Sequence, residues 1–77
     1  MATLSDLTLR EKQILQLVLL GWTNKTIGTA MCISEKTVEY HLDKIYNKIG
    51  MRSRMLAGMW AMQKGMRTDK PIVSTWK

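Results

Sequence analysis

The stretch ISEKTVEYHLDKIYNKIG, residues 33–50, decides the fold of this chain. Ser34 is a suitable N-cap, because its hydroxyl can accept a hydrogen bond from a helix-start amide, and Gly50 can take the left-handed conformation that ends a helix. Between these ends, four apolar residues recur at helical spacing and share one narrow face. They are Val38, Leu42, Ile45 and Ile49. The rest of this helix surface is broad and polar, which predicts contact with a polar partner.

N-cap residues on either side of this stretch predict further helices. Thr8 and Glu11 have the spacing of a capping box, and Gly21 can end the helix that they open. Thr23 and Ser53 are the next N-cap candidates. The sequence therefore predicts an all-α domain with helices at about residues 9–20, 24–31, 35–49 and 54–64.

The second and third predicted helices are joined by the three residues Cys32, Ile33 and Ser34. Two helices joined by so short a turn, the second more polar than the first, form the helix-turn-helix pattern. In the second helix we expect Ile27, Ala30 and Met31 to be buried. Cys32 is expected to be a small core residue, and Trp22 is expected to pack over the edge of the core.

Length and charge limit the possible functions. With 77 residues there is room for one domain and one small core. Lysine and arginine outnumber the acids by 12 to 6, and the resulting net charge of +6 favours a polyanionic partner such as nucleic acid. No apolar run approaches the ~18–20 residues that span a bilayer. A cytoplasmic protein without a membrane segment is therefore expected.

The single cysteine and single histidine exclude several kinds of site. One cysteine cannot form an intrachain disulfide, and one Cys with one His does not complete a four-ligand zinc site, so no metal or cofactor is predicted. Cys32 and His41 could be imagined as a nucleophile and base, but no third group is evident to orient them. The sequence therefore does not indicate an enzyme.

The predicted domain covers residues 1–65, with residues 1–7 as a loosely held lead-in. Residues 66–77 show no periodicity and contain Pro71, which predicts a flexible C-terminal tail.

The fourth predicted helix is apolar all round over MLAGMWAM, residues 55–62. A helix on the outside of a small domain should keep one polar face, so an exposed apolar face usually marks an interface. The residues expected to face the domain are Ala57, Gly58, Ala61 and Met62. The residues expected to form the interface of a homodimer are Leu56, Met59, Trp60 and Gln63. The alternative is that the C-terminal tail folds back over this face.

Four runs together resemble the LuxR/GerE/NarL-type helix-turn-helix DNA-binding domain over about residues 7–65. They are LTLREKQIL at 7–15, TNKTIG at 23–28, the stretch at 33–50 and RSR at 52–54. The resemblance implies four helices, with the third in the major groove of DNA and the fourth often pairing two copies. The family usually attaches this domain to a receiver or ligand-sensing domain, so this chain looks like a stand-alone member.

The resemblance also implies roles for individual residues. A DNA phosphate would be held at the start of the second helix by Thr23, Asn24 and Lys25. The first turn of the recognition helix, which meets DNA first, contains Ser34, Glu35, Lys36 and Thr37. The positions that face base edges carry Glu39, Tyr40 and Asp43. The positions along the flank, which would meet the DNA backbone, carry His41, Lys44 and Lys48.

The sequence departs from the family pattern in two respects. Glu39 and Asp43 stand where relatives often carry basic or neutral residues, and with Glu35 they form an acidic stripe. Either these carboxylates accept a hydrogen bond from cytosine N4, or they pair with a neighbouring lysine and orient it. Leu56 stands where relatives commonly carry Glu or Gln as a capping-box partner, which favours the interface on the fourth helix.

Together these patterns predict a sequence-specific, homodimeric transcription regulator that binds double-stranded DNA. The alternative is a protein-interaction module that pairs with a larger transcription regulator and modulates it.

Overall fold

The structure, a computed structural model, describes residues 2–66, and these residues are helical without a strand. A short 3-10 helix at Leu4–Asp6 precedes four α-helices. These are α1 (Leu9–Leu19), α2 (Asn24–Met31), α3 (Glu35–Ile49) and α4 (Arg54–Gln63). The predicted all-α fold is confirmed, and each helix begins and ends within one residue of its predicted bounds. The predicted flexible tail lies, except for Met66, outside the described residues.

The predicted N-caps are confirmed by their hydrogen bonds. The Thr8 hydroxyl accepts from the Glu11 N–H at 3.1 Å, and the Glu11 carboxylate accepts from the Thr8 N–H at 2.8 Å, which completes the capping box. Thr23 caps α2 by accepting from the N–H of Thr26 at 3.1 Å. Ser34 and Ser53 cap α3 and α4 in the same way, with bond lengths of 3.0 and 3.1 Å.

The core lies between α1 and the helices that pack against it. α1 contacts both α3 and α4, and α2 packs on α3. The four apolar residues predicted for the inner face of α3 are all buried, at 6% exposure or less. Trp22 is half-buried against the core, as predicted. In α2, Ile27 is fully buried and Met31 partly buried, but Ala30 is exposed because it lies outside the arc that faces α3.

The turn between α2 and α3 is closed by the backbone. Cys32 has φ 59° and ψ 39°, in the left-handed region, and the N–H of Ile33 donates to the carbonyl of Gly28 at 2.9 Å. This is the Schellman ending of a helix. A Cβ on Gly28 would lie 2.7 Å from the Ile33 carbonyl oxygen, so glycine permits the close approach. Cys32 is exposed, not a core residue as expected, because the left-handed conformation turns its side chain outward.

The segment before α1 packs more closely on the domain than expected. Leu7 is only 4% exposed and belongs to the core. The turn before it is held by Asp6, whose carboxylate accepts from the Thr3 N–H at 2.7 Å. The expected loosely held lead-in is therefore wrong at Leu7, against whose cluster Ala2 and Leu4 pack partly buried. A single apolar residue before an N-cap has no periodicity that would predict its burial.

The inner face of α4 differs from the expected one at two residues. Trp60 is 6% exposed and packs in the core, whereas Met62 is 62% exposed. Ala57 and Ala61 are fully buried, and Trp60 lies beside Ala57 on the same helical face. The outward surface, here called the α4 apolar face, consists of Met55, Leu56, Met59 and Met62. Trp60 is thus wrongly placed in the predicted dimer interface.

Within residues 2–66, none of the helices combines the length and the apolar character that a membrane span requires.

Candidate nucleic-acid interface

α3 presents a wide polar face opposite its buried residues. The exposed residues of this outward face of α3 are Glu35, Lys36, Glu39, Tyr40, Asp43, Lys44 and Asn47. Val38 and Leu42 hold the opposite side of the helix in the core, which fixes how the polar residues point. All the predicted base-reading positions therefore lie on one surface that the other described helices leave uncovered.

An aromatic and two basic side chains meet on one flank of this face. The Lys44 ammonium lies 5.4 Å from the centroid of the Tyr40 ring, within the range of a cation–π contact. The rings of Tyr40 and His41 are 5.7 Å apart and inclined by 60°. Tyr40 is 59% exposed and His41 is half-buried. These contacts place a phenol hydroxyl, an ammonium group and an imidazole, all hydrogen-bond donors, beside one another.

The carboxylates of Glu35, Glu39 and Asp43 are exposed on the other flank. Lys48 and Glu11 form an ion pair, but none of these three acids does so with another residue in the range 2–66. The interpretation in which Glu39 or Asp43 orients a neighbouring lysine therefore has no ion pair to support it there. Their oxygen atoms face solvent, where a donor from outside the chain can reach them.

Lys48 joins α3 to α1. Its ammonium donates to Oε1 of Glu11 at 2.7 Å, and the Glu11 side chain is only 4% exposed. Burial raises the pKa of the Glu11 carboxyl, but the hydrogen bonds from Lys48 and from the Thr8 N–H outweigh it, so the pKa lies below its ordinary value. The predicted backbone contact of Lys48 with DNA stays a prediction, and its charge already has a partner inside the domain.

The residues predicted to hold a phosphate lie together at the start of α2. Thr23 and Lys25 are exposed, and Asn24 is half-buried. Oδ1 of Asn24 accepts from Nη1 of Arg54 at 2.7 Å, and Nη2 of Arg54 donates to the carbonyl of Trp22. The sequence did not indicate this contact of Arg54, because two residues 30 positions apart leave no local pattern.

The first turn of α3 has its hydroxyls paired. The Ser34 and Thr37 side chains are hydrogen-bonded at 2.8 Å, and Ser34 also caps the helix. Lys36 is exposed between them and forms no ion pair with another residue in the described part of the chain. Of the residues predicted for this turn, Lys36 is therefore the cation best placed to meet an anion.

A polar depression of about 600 Å³ extends this surface beyond the end of α3. Its lining residues are Asp43, Tyr46, Asn47, Gly50, Met51 and Arg52. Burial raises the pKa of the Tyr46 hydroxyl; the charge of Arg54 opposes this and that of Asp43 adds to it. Asp43 and Asn47 thus belong both to the outward face of α3 and to this depression.

A second surface lies on the fourth helix. Leu56 and Met59 are 47% and 60% exposed, and Gln63 is exposed beside them. Their role in a dimer interface stays a prediction. A groove of about 450 Å³ runs along this helix against Val18 and Leu19 of α1. This surface on α4 is apolar, whereas the outward face of α3 is polar.

Comparison with known proteins places the chain in a family. It matches the family described as bacterial regulatory proteins, luxR family, over residues 5–61. It is 43% identical over 54 residues to the probable transcriptional regulatory protein SgaR of Hyphomicrobium methylovorum, covering 70% of this chain and 26% of that protein. The corresponding values for the transcriptional regulatory protein DegU of Brevibacillus brevis are 41% over 59 residues, 77% and 25%.

A third relative is the nitrate/nitrite response regulator protein NarL of Escherichia coli (strain K12), with 37% identity over 60 residues, 78% of this chain and 28% of that protein. The chain thus spans about a quarter of the length of these regulators. The matched residues 5–61 include α1, α2, the turn and α3. This chain therefore belongs to the luxR family of bacterial regulatory proteins, and α2 and α3 are its helix-turn-helix.

Proposed function

We propose that this domain regulates transcription by binding double-stranded DNA at specific sequences, as a homodimer, with α3 in the major groove. The observation that carries the proposal is the outward face of α3, whose donors and acceptors are fixed by a buried opposite side and are not covered by another described helix. A major groove admits one α-helix and displays a distinct pattern of donors and acceptors for each base pair. Membership of a regulatory family supports the same role.

Base reading would fall to Glu39, Tyr40 and Asp43. A carboxylate in the major groove can accept from the N4 amino group of cytosine, whereas it is repelled by phosphates. Because neither Glu39 nor Asp43 is in an ion pair within residues 2–66, both can act as acceptors for a base. We therefore expect the preferred site to contain cytosine where these residues meet it.

Phosphate contacts would come from the start of α2 and from α3 itself. Lys25 and the backbone amides lie at the start of α2, and Lys36 and Lys44 project from α3. Each phosphate neutralised by a cation releases counterions, so the affinity should fall steeply as salt is raised. Replacing Lys36 by alanine should weaken binding to all sequences by a similar factor.

The α4 apolar face would pair two copies of the chain. Met55, Met59 and Met62 are all more than 59% exposed, and contiguous exposed apolar surface marks an interaction site. A two-fold axis through this face would present two α3 helices to half-sites about one helical turn of DNA apart. Trp60 is not part of this surface, so a variant at Met59 tests it without opening the core.

The experiment is a selection of bound sites from a random DNA pool at about physiological salt. Enrichment of a two-fold symmetric motif supports both specific binding and the dimer, whereas a single half-site supports DNA reading without the symmetric dimer. Met59→Lys should then convert the symmetric motif into a half-site. The control is Ala30→Lys, which adds the same charge at an exposed position of α2.

Glu39→Ala tests the base-reading role separately. We expect it to relax the preference at one base pair while leaving the others unchanged. A uniform loss of affinity across all site variants would contradict base reading by Glu39.

A second candidate function is supported by the three carboxylates on α3 that form no ion pair within residues 2–66, since acids on a DNA-facing surface weaken phosphate binding. In that case the domain would pair through the α4 apolar face with a larger regulator. A folded protein that enriches no DNA sequence would favour this second function.

A further inference from the structure

Arg54 joins the start of α4 to the start of α2. Its guanidinium donates through Nη1 to Oδ1 of Asn24 at 2.7 Å and through Nη2 to the carbonyl of Trp22. The two nitrogen atoms of the planar guanidinium thus donate to a side-chain oxygen and a backbone oxygen at the same time. The contact holds the Asn24 side chain in one orientation.

The chemistry of the two groups determines that orientation. A guanidinium has donors and no acceptor, so the atom of the Asn24 amide that faces it must be the carbonyl oxygen. The amide nitrogen, with its two hydrogens, therefore points away from Arg54. Because Asn24 is half-buried rather than enclosed, these hydrogens can reach a group outside the domain.

The start of α2 has other donors at the same place. The N–H of Thr26 is used by the Thr23 hydroxyl and that of Ile27 by the Thr23 carbonyl. Helix geometry leaves the N–H groups of Asn24 and Lys25 without an acceptor inside α2. The amide hydrogens of Asn24 thus belong to the same first turn as two backbone donors.

The charge at this junction is uncompensated within the described residues. Arg54 is the first residue of α4 and contacts the first residue of α2, so its positive charge lies near the positive ends of two helix dipoles. It forms no ion pair with another residue of the range 2–66. A cation in such a place raises the local potential, which an anion would lower.

We propose that Arg54 is a positioning residue for phosphate binding, which fixes the Asn24 amide so that its hydrogens donate to a DNA phosphate at the start of α2. This inference rests on the proposed function of the domain. Arg54 acts through Asn24 and through its charge, with its guanidinium committed to the protein. A lysine in its place keeps the charge but has a single nitrogen, which cannot grip Asn24 and the Trp22 carbonyl together.

The test uses a random-sequence DNA duplex at low salt, because phosphate contacts do not depend on base sequence. The variants are Arg54→Lys, Asn24→Ala and the combination of the two, with thermal unfolding of each. We expect Arg54→Lys to weaken binding about tenfold in the parent protein but less than about twofold in the Asn24→Ala background. The control is Lys64→Gln, which removes a cation just beyond the other end of α4 and should leave this coupling unchanged.

Asn24→Asp separates the binding role from a structural one. The aspartate still accepts from Arg54 and favours the start of a helix, so the melting temperature should hold or rise. Its outward oxygen replaces the amide donor and repels a phosphate, so we expect binding to weaken at least about tenfold. A purely structural role for the contact would change stability and affinity in the same direction.

Three results would overturn the inference while leaving the proposed function intact. The first is an equal effect of Arg54→Lys in both backgrounds, which would assign Arg54 a direct phosphate contact. The second is an Asn24→Asp variant that binds DNA as tightly as the parent, and the third is an Arg54→Lys variant that does so. A parent protein that binds neither this duplex nor any selected site would instead refute the proposed function, and the inference with it.

Discussion

The two ends of α3 are held by different kinds of contact. At its start, the backbone of the turn comes so close to Gly28 that a Cβ there would lie 2.7 Å from the Ile33 carbonyl oxygen. At its end, the ammonium of Lys48 reaches the carboxylate of Glu11 on α1 at 2.7 Å. The start of α3 depends on the absence of a side chain at Gly28, and its end depends on the two charged side chains of Lys48 and Glu11.

This difference has consequences for stability. A backbone contact has no titratable group, so it is insensitive to pH and salt, and it tolerates little added volume. An ion pair with one buried partner responds to protonation and to the loss of either charge. The position of the proposed DNA-binding helix should therefore be rigid at its start and adjustable at its end.

The largest effect is expected from Gly28→Val, which breaks the contact at the start of α3. The added carbon atoms overlap the Ile33 carbonyl, and overpacking against backbone of this kind should lower the free energy of unfolding by about 3 kcal/mol. Chemical denaturation measures the change. Ala30→Val is the control, because it introduces the same residue at an exposed position of the same helix and should cost only about 0.5 kcal/mol of helix propensity. Equal losses for the two variants would mean that the close approach is unimportant.

The next largest effect is expected from Lys48→Met at the end of α3. It leaves the Glu11 carboxylate buried without its cation, and we expect a loss of about 2 kcal/mol, less than for a fully buried pair because Lys48 is 35% exposed. Denaturation of the double variant Glu11→Gln, Lys48→Met should recover most of the loss, since no charge is then left unpaired. A double variant as unstable as Lys48→Met alone would contradict this account.

A pH titration of the parent and of a Glu11→Gln variant tests the same end through protonation of the Glu11 carboxylate. The pKa of Glu11 is lower in the folded protein than its ordinary value, so the unfolded chain binds more protons there. The resulting stability is present above the unfolded pKa of about 4.3 and is lost as the pH falls through the folded value. Thermal unfolding of the parent and of Glu11→Gln should therefore converge towards acid pH. A gap that stays constant or widens would show that the carboxylate is not stabilised by its partners.

The smallest effect concerns Cys32, whose left-handed conformation is disfavoured for a residue with a side chain. Cys32→Gly should raise stability by about 0.5 kcal/mol, since relief of strain slightly exceeds the added entropy of the unfolded chain. Cys32→Ala is the control and should be neutral. Destabilisation by Cys32→Gly would show that the thiol itself contributes.

The opposite change is expected at Gly50, which has φ 74° after α3. Gly50→Ala should destabilise the protein by about 1 kcal/mol.

Local patterns predicted the helices and one face of α3. N-caps depend on side chains within three residues of each other, and the buried residues of α3 recur at the period of a helix, so both can be read from short stretches. The glycine at position 50 ended its helix as expected, with φ 74°. Because the buried face of α3 was predicted correctly, the polar face on its opposite side was predicted as well.

What the sequence did not predict depends on the packing of distant residues. α4 is apolar all round, so periodicity could not decide whether Trp60 or Met62 faced the core. The contacts of Lys48 with Glu11 and of Arg54 with Asn24 join helices that are far apart in the chain. The burial of Leu7 and the left-handed backbone at Cys32 likewise follow from the tertiary structure.

The composition of the α4 apolar face has a further consequence, for its chemical durability. Met55, Met59 and Met62 supply most of its area and are at least 60% exposed. Oxidation of a methionine to its sulfoxide converts an apolar thioether into a polar group, and exposed methionines are the first to react. The proposed pairing of two copies through this face should then weaken as the protein ages in air and return on treatment with methionine sulfoxide reductases. If the proposed dimer forms through this face, its stability depends on the oxidation state of these methionines.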